Sequence, residues 1–118
     1  MRNTLQDALA ALADPTRRNV FEALRGEPRS VADLASEQPV SRPAVSQHLK
    51  VLEQAGLVAV RAAGTRRLYS IRREGLAELK DYLDSFWSDI LSAYAREVER
   101  QVVTHTGEDD GRTDPETD

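Results

Sequence analysis

The sequence predicts a mainly α-helical protein with a single β-hairpin. Two observations indicate this class. Apolar residues recur at three- and four-residue steps over most of residues 5–55 and again over residues 76–98, which is the spacing of one face of an α-helix. Between these segments, residues 57–71 hold two short β-rich runs on either side of a glycine, a pattern typical of a hairpin. The expected order is therefore four helices, a hairpin and one long final helix.

The first two helices are expected to be separated by Asp14 and Pro15. Apolar residues with helical spacing over residues 5–12 predict the first helix, which should end before this pair. Asp14 has the side chain of an N-cap, and proline is well tolerated at the first position of a helix because its missing N–H is not needed there. The second helix should then run until Gly26 stops it.

Two serines are expected to start the third and fourth helices. Ser30 precedes a short apolar-patterned segment, and Ser41 follows the loop 38–40 and precedes a segment that runs to Ala55. Gly56 stands where a left-handed C′ residue is expected. The predicted inward-facing residues are Val31, Leu34 and Ala35 on the third helix and Val45, Leu49 and Leu52 on the fourth.

The hairpin is predicted from strands over residues 57–61 and 67–71, joined by a five-residue loop over 62–66. From Glu74 the period returns to that of a helix, and this amphipathic helix should be about 28 residues long. We expect residues 1–104 to form one domain. Residues 105–118 are rich in Gly, Thr, Asp and Glu and have no apolar anchor, so they are expected to be a disordered acidic tail.

The charge of the chain is strongly segregated. The net charge is −4 over 118 residues, yet residues 41–73 hold seven basic residues and one acidic residue, a net of +6. Residues 107–118 hold one basic and six acidic residues, a net of −5. A polyanion responds to the concentrated patch rather than to the total, so the basic segment indicates a polyanionic partner.

Composition excludes several classes of protein. The chain is 40% hydrophobic and 31% charged and contains no cysteine, which excludes a disulfide scaffold, thiolate catalysis, an iron–sulfur cluster and a Cys-ligated zinc site. Its apolar runs are shorter than the roughly 20 residues that span a bilayer, and the N-terminus lacks a signal-peptide pattern. We therefore expect a cytoplasmic protein with no membrane partner.

The order of the third and fourth helices and the basic hairpin is that of a winged helix-turn-helix. In such a domain the exposed face of the second helix of the pair enters the major groove of double-stranded DNA, and the hairpin places arginines beside the backbone or the minor groove. Arg42 and Gln47 have side chains that can grip guanine and adenine, whereas serine and lysine can hold phosphate. The expected DNA-binding residues are Ser41, Arg42, Pro43, Ser46, Gln47, His48, Lys50, Arg66 and Arg67.

Over about residues 4–100 the sequence resembles the ArsR-type family of small dimeric winged-helix repressors. The resemblance is strongest in ADPTRR at 13–18, SRPAVSQHLKVL at 41–52, AGLV at 55–58 and GTRRLY at 64–69. It implies that the fourth helix reads an operator, that the first and last helices form a dimer, and that an effector releases DNA. The sequence does not identify that effector.

A homodimer is also indicated by apolar surface. The stripes on the first and last helices expose more apolar surface together than a monomer tolerates, which favours a two-fold dimer built from both helices. The aromatic residues of the last helix could instead line a ligand pocket. The expected interface residues are Leu5, Leu9, Leu12, Leu83, Phe86, Trp87, Ile90 and Tyr94.

The sequence departs from the metal-sensing members of this family. Such relatives carry cysteines on the helix that matches Val31–Ser36, or an Asp/His set on the last helix; here there is no thiol, and no histidine precedes His105 on the last helix. Carboxylates alone make weak, unselective sites for soft or borderline metals. We therefore expect a member of the non-metal-sensing subgroup, with no metal site and no cofactor.

Other interpretations stay open for individual residues and for the whole chain. Arg66 and Arg67 could be a solvated hairpin tip, and His48 could be a partly buried histidine rather than a phosphate contact. The acidic tail could be merely solvated, or it could mimic DNA. No nucleophile or carboxylate pair has a convincing spacing to His48, so no enzymatic activity is expected. The alternative to a DNA-binding regulator is a winged-helix module that binds protein.

Overall fold

A computed structural model describes residues 4–104 of the chain. The described residues fall into two compact units, 4–82 and 83–104. The described elements are α1 (Thr4–Ala13), α2 (Pro15–Glu22), α3 (Val31–Glu37), α4 (Arg42–Gln54), β1 (Val58–Ala63), β2 (Arg66–Ile71) and α5 (Arg73–Thr104). None of the helices within residues 4–104 is long and apolar enough to cross a membrane. The predicted acidic tail lies outside the described residues, and the interpretation of residues 1–104 as one domain stays a prediction.

The predicted helix starts are confirmed. The side chains of Asp14, Ser30 and Ser41 accept hydrogen bonds from backbone N–H groups in the first turns of α2, α3 and α4, at 2.9, 3.1 and 3.3 Å. Pro15 is the first residue of α2. Each cap satisfies one of the N–H groups that a helix start leaves without an intrahelical partner, so the local sequence fixes where these helices begin.

The core of the first unit is built around α4, which contacts α1, α2, α3 and β1. Helix α4 presents its apolar stripe to this core, as the sequence predicts. Its opposite face is thereby left toward solvent. The fully buried large side chains are Val20, Leu34, Val45, Leu49, Leu52, Leu57 and Val58.

The end of α2 differs from the sequence prediction. The helix ends at Glu22, with Ala23 as its C-cap, rather than continuing to Gly26. The chain then tightens, because the backbone N–H of Leu24 bonds the Phe21 carbonyl at 3.0 Å. Bonds of this shorter span replace the α-helical pattern before the glycine is reached.

The hairpin turn is also shorter than predicted. The strands pair antiparallel from Val58 opposite Ile71 to Ala63 opposite Arg66, so the expected five-residue loop is wrong. The connection is a two-residue turn that begins with Gly64, whose φ of +66° belongs to the left-handed region that glycine enters without steric cost. The two arginines expected at the hairpin tip therefore belong to β2.

A short antiparallel bridge joins the start of α3 to the hairpin. The N–H of Arg29 bonds the carbonyl of Tyr69 at 2.9 Å, and the N–H of Tyr69 bonds the carbonyl of Arg29 at 2.7 Å. The Arg29 guanidinium also pairs with Glu37 at the end of α3. Nothing in the sequence pattern indicated this bridge, which adds one residue to the free edge of β2.

The start of α5 packs directly against the turn between α4 and β1. The N–H of Arg72 bonds the Leu57 carbonyl at 2.8 Å, and Gly75 is buried. A Cβ atom on Gly75 would lie 1.9 Å from the carbonyl oxygen of Gly56. Gly56 itself has a φ of +80°, which confirms the predicted left-handed C′ residue. Two backbones therefore meet here without a side chain between them.

Candidate nucleic-acid interface

Helix α4 separates an apolar face from a polar face. Val45, Leu49 and Leu52 are fully buried. The polar face consists of predicted DNA-binding residues that are all exposed, and they are Ser41, Arg42, Pro43, Ser46, Gln47 and Lys50. The structure therefore brings together, on one side of one helix, six of the residues selected from the sequence.

The long polar side chains on this face are not used for folding. Within residues 4–104, the side chains of Arg42, Gln47 and Lys50 make no hydrogen bond or ion pair. Ser41 uses its hydroxyl oxygen to cap the helix, and this leaves the positive end of the helix dipole beside the start of the row. These side-chain donors have no partner in the described part of the chain. They are therefore suited to bind another molecule whose surface is rich in hydrogen-bond acceptors.

His48 lies at the boundary between the two faces. Its side chain is half-buried, and its Nδ1 atom has no hydrogen-bond partner within the described residues. The pKa of Asp14 is lowered chiefly by the backbone N–H of Arg17, with a small contribution from the charge of His48. The contact of His48 with DNA stays a prediction.

Arg66 has a set of partners within the domain. Its Nη2 atom lies 2.9 Å from Oδ2 of Asp33 and 3.1 Å from Oγ of Ser30. Both partners belong to the first turn of α3, where they form a capping box. The pKa of Asp33 is lowered first by the backbone N–H of Ser30 and further by the charge of Arg66. One guanidinium therefore links the hairpin to the beginning of α3.

Arg67 differs from its neighbour. Its side chain is exposed and makes no hydrogen bond or ion pair within the described part of the chain. It lines, with Ser46 of α4, a cleft of about 320 Å³ between α3, α4 and the hairpin. The structure thus places Ser46 of the polar face of α4 and both adjacent strand arginines, Arg66 and Arg67, on the walls of one cleft.

Arg61 is a further basic residue of the positively charged segment, and it was not among the predicted DNA-binding residues. It stands opposite Leu68 in the hairpin. Its side chain is exposed and is likewise without a polar partner in residues 4–104. In the sequence, Arg61 could have been recognised as the one charged residue in the otherwise apolar strand Val58–Ala63. An arginine that interrupts an apolar strand is a candidate for a role at the surface.

The predicted interface residues of α5 are all exposed. The exposed fractions are 54% for Leu83, 51% for Phe86, 59% for Trp87, 53% for Ile90 and 67% for Tyr94. Monomeric proteins rarely leave so many large apolar side chains in one contiguous stripe in water. The exposed apolar stripe of the second unit is therefore a candidate interface with a partner.

The predicted interface residues of α1 are less uniform. Leu9 is 40% exposed, whereas Leu5 and Leu12 are half-buried, and Leu12 packs partly against the core. The buried residues of α1 are two alanines, Ala8 and Ala11. The larger leucines are therefore at least partly available at the surface of the first unit.

The chain is similar to known transcriptional regulators. Residues 12–61 match a helix-turn-helix domain. The chain is 52% identical over 102 residues to the HTH-type transcriptional regulator Rv2034 of Mycobacterium tuberculosis, a match that covers 86% of this chain and 91% of that protein. It also superposes on the homodimeric winged helix-turn-helix DNA-binding domain of a possible ArsR-family regulator from Mycobacterium bovis, with a TM-score of 0.60, 27% identity and coverage of 76% and 83% of the two chains.

The chain belongs to the ArsR family of winged helix-turn-helix transcriptional regulators. A further solved relative, a possible transcriptional regulator for arsenical resistance, is 43% identical with a TM-score of 0.64 and covers 77% of this chain and 95% of its own. In the terms of this family, α3 and α4 are the helix-turn-helix and the hairpin is the wing. The fold and the family predicted from the sequence are confirmed.

Among residues 4–104, no group of three or more His, Asp or Glu side chains is arranged to hold a metal ion. His105, the second histidine of the chain, lies outside the described residues. Membership of the non-metal-sensing subgroup stays a prediction.

Proposed function

We propose that the protein is a homodimeric repressor that binds an inverted-repeat operator in double-stranded DNA. The observation that carries the proposal is the polar face of α4. Its side chains are exposed and its longest donors are without partners in the described residues, while the opposite face is locked into the core. This is the geometry with which a helix-turn-helix enters a major groove.

Base reading is assigned to the start of α4. Arg42 and Gln47 can each make bidentate contacts, with guanine and adenine respectively, and such a contact discriminates against a wrong base by about 1–3 kcal/mol. Ser46, Lys50 and Arg67 are suited to phosphate, which fixes the register of the protein on the duplex. Ser41, Pro43 and His48 flank this row and complete the proposed contact surface.

The dimer is assigned to the first and last helices. An isologous two-fold interface presents two copies of α4, so the operator should have two half-sites about one DNA turn apart. This proposal assigns the protein no catalytic, metal-dependent or cofactor-dependent role. It places the protein with chromosomal DNA in the cytoplasm, with an effector whose chemistry the sequence does not reveal.

The test begins with selection of bound fragments from random double-stranded DNA. We expect enrichment of one inverted repeat and a steep fall in affinity as salt rises, because neutralised phosphates release counterions. Arg42→Ala and Gln47→Ala should relax preference at particular base pairs, with a loss of about 1–3 kcal/mol each. Arg67→Ala is the matched control, since it should weaken operator and scrambled DNA alike.

The contrary results are equally specific. Selection without enrichment, together with binding that ignores salt, would show that the winged helix binds a protein partner instead. If Arg67→Ala changed base preference while Arg42→Ala changed only the salt dependence, the two assignments would be reversed. Arg67 would then recognise bases, and Arg42 would contact phosphate.

A further inference from the structure

The wing is attached to α3 by three contacts that converge on one short segment. Two are the backbone hydrogen bonds between Arg29 and Tyr69, at 2.9 and 2.7 Å. The third is the Arg66 guanidinium, which reaches Ser30 at 3.1 Å and Asp33 at 2.9 Å. All of these partners on the α3 side lie within residues 29–33. The contacts therefore hold β2 against the first turn of α3.

The same side chains also start α3. Ser30 Oγ accepts from the N–H of Asp33, and Asp33 Oδ2 faces the N–H of Ser30, which closes the capping box. Because α3 packs against α4, a wing fastened to this cap has a set position relative to α4. The position of the wing is thus determined where the helix-turn-helix begins.

The two adjacent wing arginines are not electrostatically equivalent. Arg66 stands 2.9 Å from the carboxylate of Asp33, and this group, like any aspartate of ordinary or lowered pKa, is ionised near neutral pH. The pair has little net charge to offer a phosphate. The side chain of Arg67 lines the same cleft as Arg66 but is without such a partner in residues 4–104.

We infer that Arg66 is a positioning residue that docks the wing on α3 through Asp33, and that Arg67 makes the phosphate contact of the wing. This inference rests on the proposed DNA-binding function. It replaces the expectation that both arginines neutralise phosphate. Asp33, an acidic residue beside a DNA-binding surface, then supports binding instead of opposing it.

The experiment compares Arg66→Gln with Arg67→Gln, two substitutions that remove the same charge from neighbouring positions. Affinity for the selected operator is measured over a series of salt concentrations. Arg67→Gln should lower the slope of log K against log salt by about 0.9 for each phosphate that the arginine neutralises. Arg66→Gln should leave the slope unchanged and weaken binding roughly two- to tenfold at every salt concentration, as expected when a coupled pair is broken.

In Asp33→Asn, the direction of the change in DNA affinity distinguishes the two possible roles of Asp33. If Asp33 only repelled phosphate, its neutralisation would strengthen binding; if it docks the wing, binding should weaken as it does for Arg66→Gln. Arg66→Lys keeps a charge that can pair with Asp33, and it should restore part of the affinity. Stronger binding by Asp33→Asn, or a slope for Arg66→Gln equal to that of Arg67→Gln, would overturn the inference.

Amide hydrogen exchange of the free protein separates this inference from the proposed function. Arg66→Gln and Asp33→Asn should speed exchange of the Arg29 and Tyr69 amides, and Arg67→Gln should not. If the wild-type protein binds no DNA, the proposed function is wrong. The docking of the wing on α3 is then tested by amide hydrogen exchange alone. Faster exchange in both docking variants then supports it, and exchange unchanged from wild type overturns it.

Discussion

Replacing Gly75 with alanine tests the close approach of two backbones at the start of α5. Gly75 lies in the first turn of α5, and the added Cβ would stand 1.9 Å from the carbonyl oxygen of Gly56 and 2.8 Å from its carbonyl carbon. Real Cβ atoms essentially never come closer than 3.0 Å to such atoms. Because both sides are backbone, no side-chain rotation can relieve the overlap, and the two segments must separate by about 1 Å or more.

Two effects of opposite sign compete in this variant. Alanine in a helix is favoured over glycine by about 1 kcal/mol. Overpacking a tight contact costs about 1–3 kcal/mol and occasionally more, and separation of the segments also strains the 2.8 Å bond from Arg72 to Leu57. Since this overlap is between fixed backbone atoms, the cost belongs at the upper end of that range. We expect a net destabilisation of roughly 2 kcal/mol.

The assay is urea unfolding followed by circular dichroism at one fixed protein concentration, because unfolding of a dimer depends on concentration. Gly75→Ala should lower the midpoint without changing the slope of the transition. Gly26→Ala is the matched control, since nothing lies within 4 Å of its added Cβ, and its effect should be within about 0.5 kcal/mol. If Gly75→Ala were as stable as the wild type, helix propensity would outweigh packing and the reasoning would be refuted.

Three further predictions concern oligomeric state, acid stability and the tail. Trp87→Glu places a charge in the exposed stripe of α5 and should give monomer or insoluble protein in sedimentation; a soluble, fully active monomer would contradict the dimer proposal. The backbone N–H of Arg17 is the main cause of the lowered pKa of Asp14, so this cap stabilises fully above about pH 3.8 and is lost as pH falls through the lowered pKa. Asp14→Ala should therefore reduce the urea midpoint at pH 7 and matter progressively less below pH 4, whereas a deficit that persists in acid would exclude the carboxylate as its cause. Deletion of residues 107–118 should leave the melting temperature unchanged and leave DNA affinity equal or modestly higher; a large loss of either would mean that the tail is docked.

Local signals account for the features that the sequence predicted well. A cap such as Ser41 acts on backbone groups three residues away, and the stripe of α4 is read from its own spacing. The turn of the hairpin was misplaced because Ala62 and Ala63 carry little strand preference, although their partners in β2 extend the pairing through both. The end of α2 was set by a tight turn that no glycine or proline marks.

Non-local contacts account for what the sequence left undetermined. Arg66 and Asp33 are 33 residues apart along the chain, and a charge count treats both wing arginines alike. Only the strand register and the placement of α3 distinguish them. The bridge between Arg29 and Tyr69 was invisible for the same reason, since a single paired residue produces no alternating pattern.

The width of the apolar stripe on α5 bears on what must cover it. On a helical wheel with 3.6 residues per turn, Phe86 and Leu91 form the two edges of the stripe, and Leu83 lies between them. The stripe spans roughly 140° of the helix surface. A seam between two helices of a coiled coil is narrower, whereas a stripe wider than about 100° is typical of a helix packed against several neighbours. One partner helix would thus leave part of the stripe in water. In the proposed dimer, α1 of the partner subunit would be the second covering helix, and Leu9 is available for such a contact because its side chain is 40% exposed. The width of the stripe therefore favours the proposed interface, in which the first and the last helices both take part.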